Sequence, residues 1–312
     1  MNYKKFVFHL LIFCFVISVS AQKSEIYTNS LLEYNKAIEL YQNKSYLAAQ
    51  EMFNNLEEEF DNSSEFKANC AFYAANSAIR LGQRNSDNLM LAFVEKYPTS
   101  TKRNNAFIDV ADYYFKTGKY AYASKWYAKV TTTNFSIKQE ETFNFNYGYS
   151  LFSIKNFAKA KEYFLNILDS YEYGAQAKYY YGFIAYNQDD YDTADKYLGE
   201  VVDNDEFKSD VSYYLADMNF KLGKFEKALE LGLPLLKRAK RTEHSEISKI
   251  VGESYFNLKN YKEAIPHLKN YKGKRGKWNN TDFYLLGYSY FQQKDYENAV
   301  SNFNKIINGN NG

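Results

Sequence analysis

Apolar positions along this chain repeat on two scales, one of three to four residues and one of about 35. The short scale is clearest in Asn105–Val130. Phe107, Val110, Tyr114 and Phe115 stand at i, i+3, i+7 and i+8, which puts them on one stripe of an α-helix, with Asp109, Asp112 and Lys116 off it. Ala111 lies on the stripe as a small residue that lets a neighbouring helix come close. Gly118 closes this first helix, because glycine accepts left-handed backbone angles at little cost. Tyr120, Ala123, Tyr127 and Val130 then mark a second helix at three- and four-residue steps. A helix pair this short is marginal in water by itself, so the pattern predicts copies that bury its other faces.

The copies exist. An aromatic residue recurs at the hinge as Tyr46, Tyr120, Phe157, Tyr191, Phe225, Tyr261 and Tyr296, at spacings of 34 to 37 residues or twice that. Three residues later comes an alanine each time: Ala49, Ala123, Ala160, Ala194, Ala228, Ala264 and Ala299. Seven residues after the hinge stands a large apolar residue in all but one copy: Phe53, Tyr127, Phe164, Leu198, Leu268 and Phe303. Nine before it the residue is small: Ala37, Ala111, Gly148, Gly182, Ala216, Gly252 and Gly287. This order and period resemble the tetratricopeptide repeat family, whose unit is a helix–turn–helix. The resemblance implies an all-α, right-handed α-solenoid of about eight such units.

The eight repeats are Ser30–Asn62, Phe66–Ser100, Arg103–Lys138, Glu140–Tyr173, Gly174–Phe207, Lys208–His244, Ser245–Trp278 and Asn279–Asn308. The second is degenerate. Its hinge Leu81–Asn85 lacks the aromatic, although Ala74 and Ala75 are kept and Pro98 stops its second helix. The sixth has Gly232 in place of the large apolar residue, and Pro234 and Pro266 fall inside the second helices of the sixth and seventh, where proline is expected to bend or end a helix. Nothing solvating follows Ile306 and Ile307, and repeat arrays finish with a polar cap, so the array is expected to continue in a longer protein.

The chain opens with Lys4 and Lys5, an apolar run from Phe6 to Val19, and Val19-Ser20-Ala21. That is the form of a secretory signal peptide cleaved after Ala21, and the run is short for a membrane span of about 20 residues. The mature chain 22–312 would then carry no transmembrane span and one cysteine, Cys70, on an inner stripe where a buried inert thiol is expected. Losing two of the 39 basic residues leaves 37 against 37 acids, which argues against a nucleic-acid partner held by bulk charge. Aromatic content of 19% with three prolines suits two helical layers with rings between them. The Tyr97-Pro98-Thr99-Ser100 ending is also similar to periplasmic repeat proteins of outer-membrane assembly, which implies export to the periplasm or outer membrane of a Gram-negative-type bacterium.

No reaction chemistry emerges. The mature chain has His244 and His267 without metal-ligand spacing, no nucleophile elbow, and in Gly273–Lys277 no phosphate-loop spacing. Asp189, Asp190, Asp192 and Asp195 surround a helix start, where carboxylates complement the dipole. An enzyme, a cofactor and a metal are therefore not expected. The basic residues Lys237, Arg238, Lys240 and Arg241, with Lys274 and Arg275, read either as solvated helix ends or as an anionic contact site.

In the tetratricopeptide family the first helix of each unit lines the concave groove. One residue off the packing stripe, those helices carry Phe145, Tyr149, Tyr179, Phe183, Tyr213, Tyr284 and Tyr288, which form the candidate partner-binding set. Phe152, Tyr186, Phe220 and Phe291 read as inter-repeat filler. The expectation is a non-enzymatic cell-envelope scaffold gripping a protein or peptide segment, in association with outer-membrane or surface proteins. The alternative is a glycan- or nutrient-binding surface module, since rings also stack on sugars.

Overall fold

The computed structural model describes residues 29–61, 64–238 and 243–309. The expected signal peptide, Lys240, Arg241 and the last three residues lie outside these. The helices are α1 (29–42), α2 (Tyr46–Glu59), α3 (Glu65–Arg80), α4 (Ser86–Lys96), α5 (Arg103–Lys116), α6 (Tyr120–Tyr127), α7 (Ile137–Ser153), α8 (Phe157–Leu165), α9 (Gly174–Asn187), α10 (Tyr191–Gly199), α11 (Lys208–Lys221), α12 (Phe225–Leu236), α13 (His244–Asn257), α14 (Tyr261–Asn270), α15 (Asn280–Gln292) and α16 (Tyr296–Gly309). Among the described residues there is no strand, only an isolated bridge between Lys274 and Lys277. The fold is an all-α helical-repeat array. It divides into two compact blocks, one ending at Asn156 and the other beginning at Phe157. The division falls at the hinge of the fourth repeat, where the sequence shows no linker.

Seven hinges share one backbone solution. Two residues before each hinge aromatic, at Lys44, Gly118, Lys155, Asp189, Gly223, Lys259 and Lys294, φ lies between +58° and +73°. The amide of the left-handed residue reaches back three residues and the next amide five, as in Gly118→Phe115 at 3.0 Å and Lys119→Tyr114 at 2.8 Å. This pair of bonds is a Schellman closure, which satisfies carbonyls left unpaired at the end of a helix. Only two of the seven positions are glycine, so the other five hold a strained conformation for a residue with a Cβ.

The small residue nine before the hinge faces the large residue seven after it, across the hairpin. A Cβ added at Gly182 would stand 2.8 Å from Leu198 Cγ, one at Gly252 2.9 Å from the Leu268 amide nitrogen, and one at Gly287 2.9 Å from a Phe303 ring carbon. The glycines thus let the second helix drive its apolar side chain down to the first. Leu198 is fully buried as a result, and Phe53 and Tyr127 are equally buried in hairpins whose small residue is an alanine. Each such ring or isobutyl group removed from water contributes roughly 1.5–3 kcal/mol. In the sixth repeat the missing large residue is explained: a Cβ on Gly232 would meet Val251 Cγ2 of the next repeat at 2.9 Å.

Neither proline ends its helix where it stands. Pro234 and Pro266 both lie inside their helices, and α12 and α14 run on to Leu236 and Asn270. Each proline removes one amide donor, while the flanking helix is held by buried neighbours such as Leu235 and Leu268. Cys70 is fully buried, and burial pushes its thiol up to about 12.

Candidate binding face on the first helices

Three positions of each first helix, counted back from the hinge aromatic, stand at −12, −8 and −5. Their spacing of four and three residues places them on one helical face. In the second block the −12 residues are Tyr179, Tyr213, Lys249 and Tyr284, the −8 residues Phe183, Asp217, Glu253 and Tyr288, and the −5 residues Tyr186, Phe220, Phe256 and Phe291.

The −5 ring packs on its own hinge ring. Phe220–Phe225, Phe256–Tyr261 and Phe291–Tyr296 have centroids 5.9, 5.5 and 5.8 Å apart, and Phe115–Tyr120 in the first block 5.7 Å. The −8 residue of the following repeat then wedges against that pair. Tyr288 lies 5.8 Å from Phe256 and 5.7 Å from Tyr261, and in the first block Tyr149 lies 5.9 Å from Phe115 and 5.1 Å from Tyr120. Where the −8 residue is acidic it clasps the preceding repeat differently. Asp217 accepts a hydrogen bond from the Tyr186 hydroxyl and pairs with Lys221 at 2.8 Å. Burial, then that carboxylate, raises the Tyr186 hydroxyl.

The −12 position lies at a notch between one first helix and the next, and three repeats treat it differently. Between α9 and α11 the notch is filled. Tyr179 stacks on Phe207 with centroids 4.4 Å apart, and its hydroxyl reaches Asp210 at 3.5 Å. Between α11 and α13 it is open, a cavity of 230 Å³. Its floor is the half-buried Tyr213 with the buried Leu235 and Ile247, and Asp210, Glu243 and Glu246 form an exposed acidic rim. Burial, then Asp217 and Glu246, pushes the Tyr213 hydroxyl up to about 12. In the first block, between α5 and α7, the corresponding cavity of 340 Å³ is lined by Ile108, Asp112, Lys138, Gln139, Thr142 and Phe143 among others. Gln139, Thr142 and Phe143 hold the same register as Glu243, Glu246 and Ile247.

Two family models match parts of the chain. One described as anaphase-promoting complex, cyclosome, subunit 3 matches residues 187–271. One described as tetratricopeptide repeat matches residues 283–308, which is the α15–α16 hairpin. The chain is a tetratricopeptide-repeat protein. No curated protein matches it in sequence. Among solved structures it is similar to MamA AMB-1, with a TM-score of 0.47 and 19% identity over 54% of this chain and 89% of that one. It is also similar to a tetratricopeptide repeat protein from Parabacteroides merdae, with a TM-score of 0.44 and 14% identity over 76% of this chain and 91% of that one. A third, MamA from Desulfovibrio magneticus RS-1, has a TM-score of 0.45 and 15% identity over 54% and 94%.

Within this tetratricopeptide array the expected site residues separate into three groups. Tyr149 and Tyr288 are wedges between repeats. Phe145 and Tyr284 lie beside them, stacked at 6.2 and 5.8 Å, and Tyr284 is 46% exposed. Phe183 packs on Tyr214 at 5.2 Å, Tyr179 fills its notch, and Tyr213 alone of the seven floors an open one. Lys237, Arg238, Lys274 and Arg275 are exposed. Arg238 borders a 370 Å³ cleft with Lys208, Asp205 and Glu230, while Lys274 and Arg275 stand on the α14–α15 loop. The residues that sequence reading passed over are Asp210, Glu243 and Glu246. Their signal is a relation between repeats, positions −15 and −12 of one (Asp210, Tyr213) against positions −18 and −15 of the next (Glu243, Glu246).

His267 has a buried ring nitrogen, and burial lowers its proton affinity. His244 Nδ1 contacts Ser248 at 3.2 Å. No cluster of three metal-ligating side chains occurs among the described residues. No helix among them is long and apolar enough to cross a membrane.

Proposed function

We propose that this chain is an exported scaffold of the cell envelope that holds an extended segment of a partner protein against the first-helix face of its second block. The observation that carries the reading is the alternation on that face. Rings that clamp repeats together form a rigid floor, and the notch at Tyr213 stays open. A preformed floor lowers the ordering cost of binding, and stacked solenoid repeats offer extended surfaces of this kind. The mature chain would begin at Gln22 and work in the periplasm or at the outer membrane.

A peptide-display selection on the immobilised mature chain tests this. The expected result is enriched peptides whose affinity falls about tenfold or more with Tyr213→Ala or Tyr284→Ala, with each variant shown by its melt to be folded at the assay temperature. A polysaccharide panel that binds saturably, with no peptide enriched, would replace this reading with glycan capture.

A further inference from the structure

Several carboxylates of the first helices are already engaged, Asp112 by hydrogen bonds from Tyr127 and Asn146 and three others by cations. Asp109, Asp217 and Glu253 each have a cation of their own: Arg80 at 3.9 Å, Lys221 at 2.8 Å and Lys249 at 3.8 Å. Two of these cations also lie over tyrosine rings. Lys221 Nζ is 5.0 Å from the centroid of Tyr186 and 5.9 Å from that of Tyr191, and Lys249 Nζ is 5.1 Å from that of Tyr271. The chain therefore builds one motif repeatedly, a lysine held between a tyrosine face and a carboxylate. Both attractions act on the same charge, the ring through its quadrupole and the acid through Coulomb attraction.

At the open notch the motif is present without the cation. Tyr213 supplies the ring, and Asp210, Glu243 and Glu246 supply three carboxylates, none of them in an ion pair among the described residues. The cavity of 230 Å³ is below the roughly 300–1,000 Å³ of small-molecule sites, which suits one side chain rather than a whole ligand. Its floor of Leu235 and Ile247 accepts an alkyl stem, as lysine and arginine present when the charged head stays at a wet rim. The matching cavity of the first block has Gln139 and Thr142 where this one has Glu243 and Glu246, so the acidic rim is particular to this position.

We infer that the notch between α11 and α13 is a specificity pocket for one lysine or arginine side chain of the bound segment, and so selects basic peptides. This deepens the reading above and rests on it. The preceding notch is filled by Tyr179 and Phe207, so one basic residue rather than a run is selected within this stretch.

The test uses the mature chain, wild type and the rim variant Asp210→Asn/Glu246→Gln, with a random 12-residue peptide library and synthetic peptides from the enriched pool. The changed residues are exposed, so an unchanged thermal melt is the control for folding. The expected result is a pool with one shared Lys or Arg position. Changing that residue to citrulline or norleucine should weaken binding about tenfold in wild type and less than twofold in the variant, and raising salt should weaken only the basic peptide. Enriched peptides with no basic position, or citrulline binding as well as arginine, would overturn the pocket while leaving the binding face standing. A library that enriches nothing would overturn the face and the pocket together.

Discussion

Gly252→Ala sets two effects of known sign against each other. Alanine in a helix interior is favoured over glycine by about 0.5–1 kcal/mol, so propensity alone would stabilise α13. The added Cβ, however, would stand 2.9 Å from the amide nitrogen of Leu268 and 3.0–3.1 Å from its Cδ2 and Cγ. A main-chain atom of α14 cannot rotate aside, so the whole hairpin must open by several tenths of an ångström. Overpacking of this sort costs about 1–3 kcal/mol. The net expectation is a loss of about 0.5–2 kcal/mol, or a few degrees in Tm for a chain of this size. Gly199→Ala is the control, because no atom lies within 4 Å of its Cβ position. It should be neutral or stabilising by up to about 1 kcal/mol. Urea melts followed by helical circular dichroism read both midpoints. If Gly252→Ala unfolds at or above the wild-type midpoint, the close approach of small and large residues is not what joins the two helices.

Three further outcomes follow from the same structure. Lys259→Gly relieves a left-handed residue at φ +63° and should raise stability by up to about 1 kcal/mol in the same melts, since glycine adopts that angle without strain. In the chain lacking residues 1–21 the sole thiol, Cys70, should resist Ellman's reagent in the native state and react fully in denaturant, because burial pushes it up to about 12. Burial also raises the Asp109 carboxyl, against the pull of Arg80. The folded state then holds that proton more tightly than the unfolded one, so stability is lost as pH climbs from the ordinary 3.8 through the raised value. Asp109→Asn should accordingly gain on wild type as pH rises above about 4, and a gain that shrinks with rising pH would contradict the burial argument.

The repeat itself was readable because it rests on residue types with one physical use. A hinge aromatic, an alanine three residues on and a small residue nine before it each fill a single packing role, and their spacing survives in seven copies. The left-handed hinge was readable only at Gly118 and Gly223. At Lys44, Lys155, Asp189, Lys259 and Lys294 the same angle is imposed by the hairpin, and nothing local announces it. Pro234 and Pro266 do not end their helices at once, because helix propensity is a local term and tertiary packing carries α12 on to Leu236 and α14 on to Asn270. On the binding face, Tyr149 and Tyr288 had the right exposure pattern for contact, but which ring wedges and which stays open depends on its neighbour one repeat away. Glu243 and Glu246 flank the start of α13, where acids are ordinary, so nothing local marks them as part of the notch.

The central claim is that a partner lies on the first-helix face, and position-specific photocrosslinking in the living cell tests it directly. A benzophenone side chain in place of Tyr213 should capture one discrete partner, with the crosslinked peptide carrying a lysine or arginine beside the joined residue. The same group at Tyr122, on the second helix of its repeat and 52% exposed, should capture none. Equal capture from both positions, or capture from Tyr122 alone, would contradict the account.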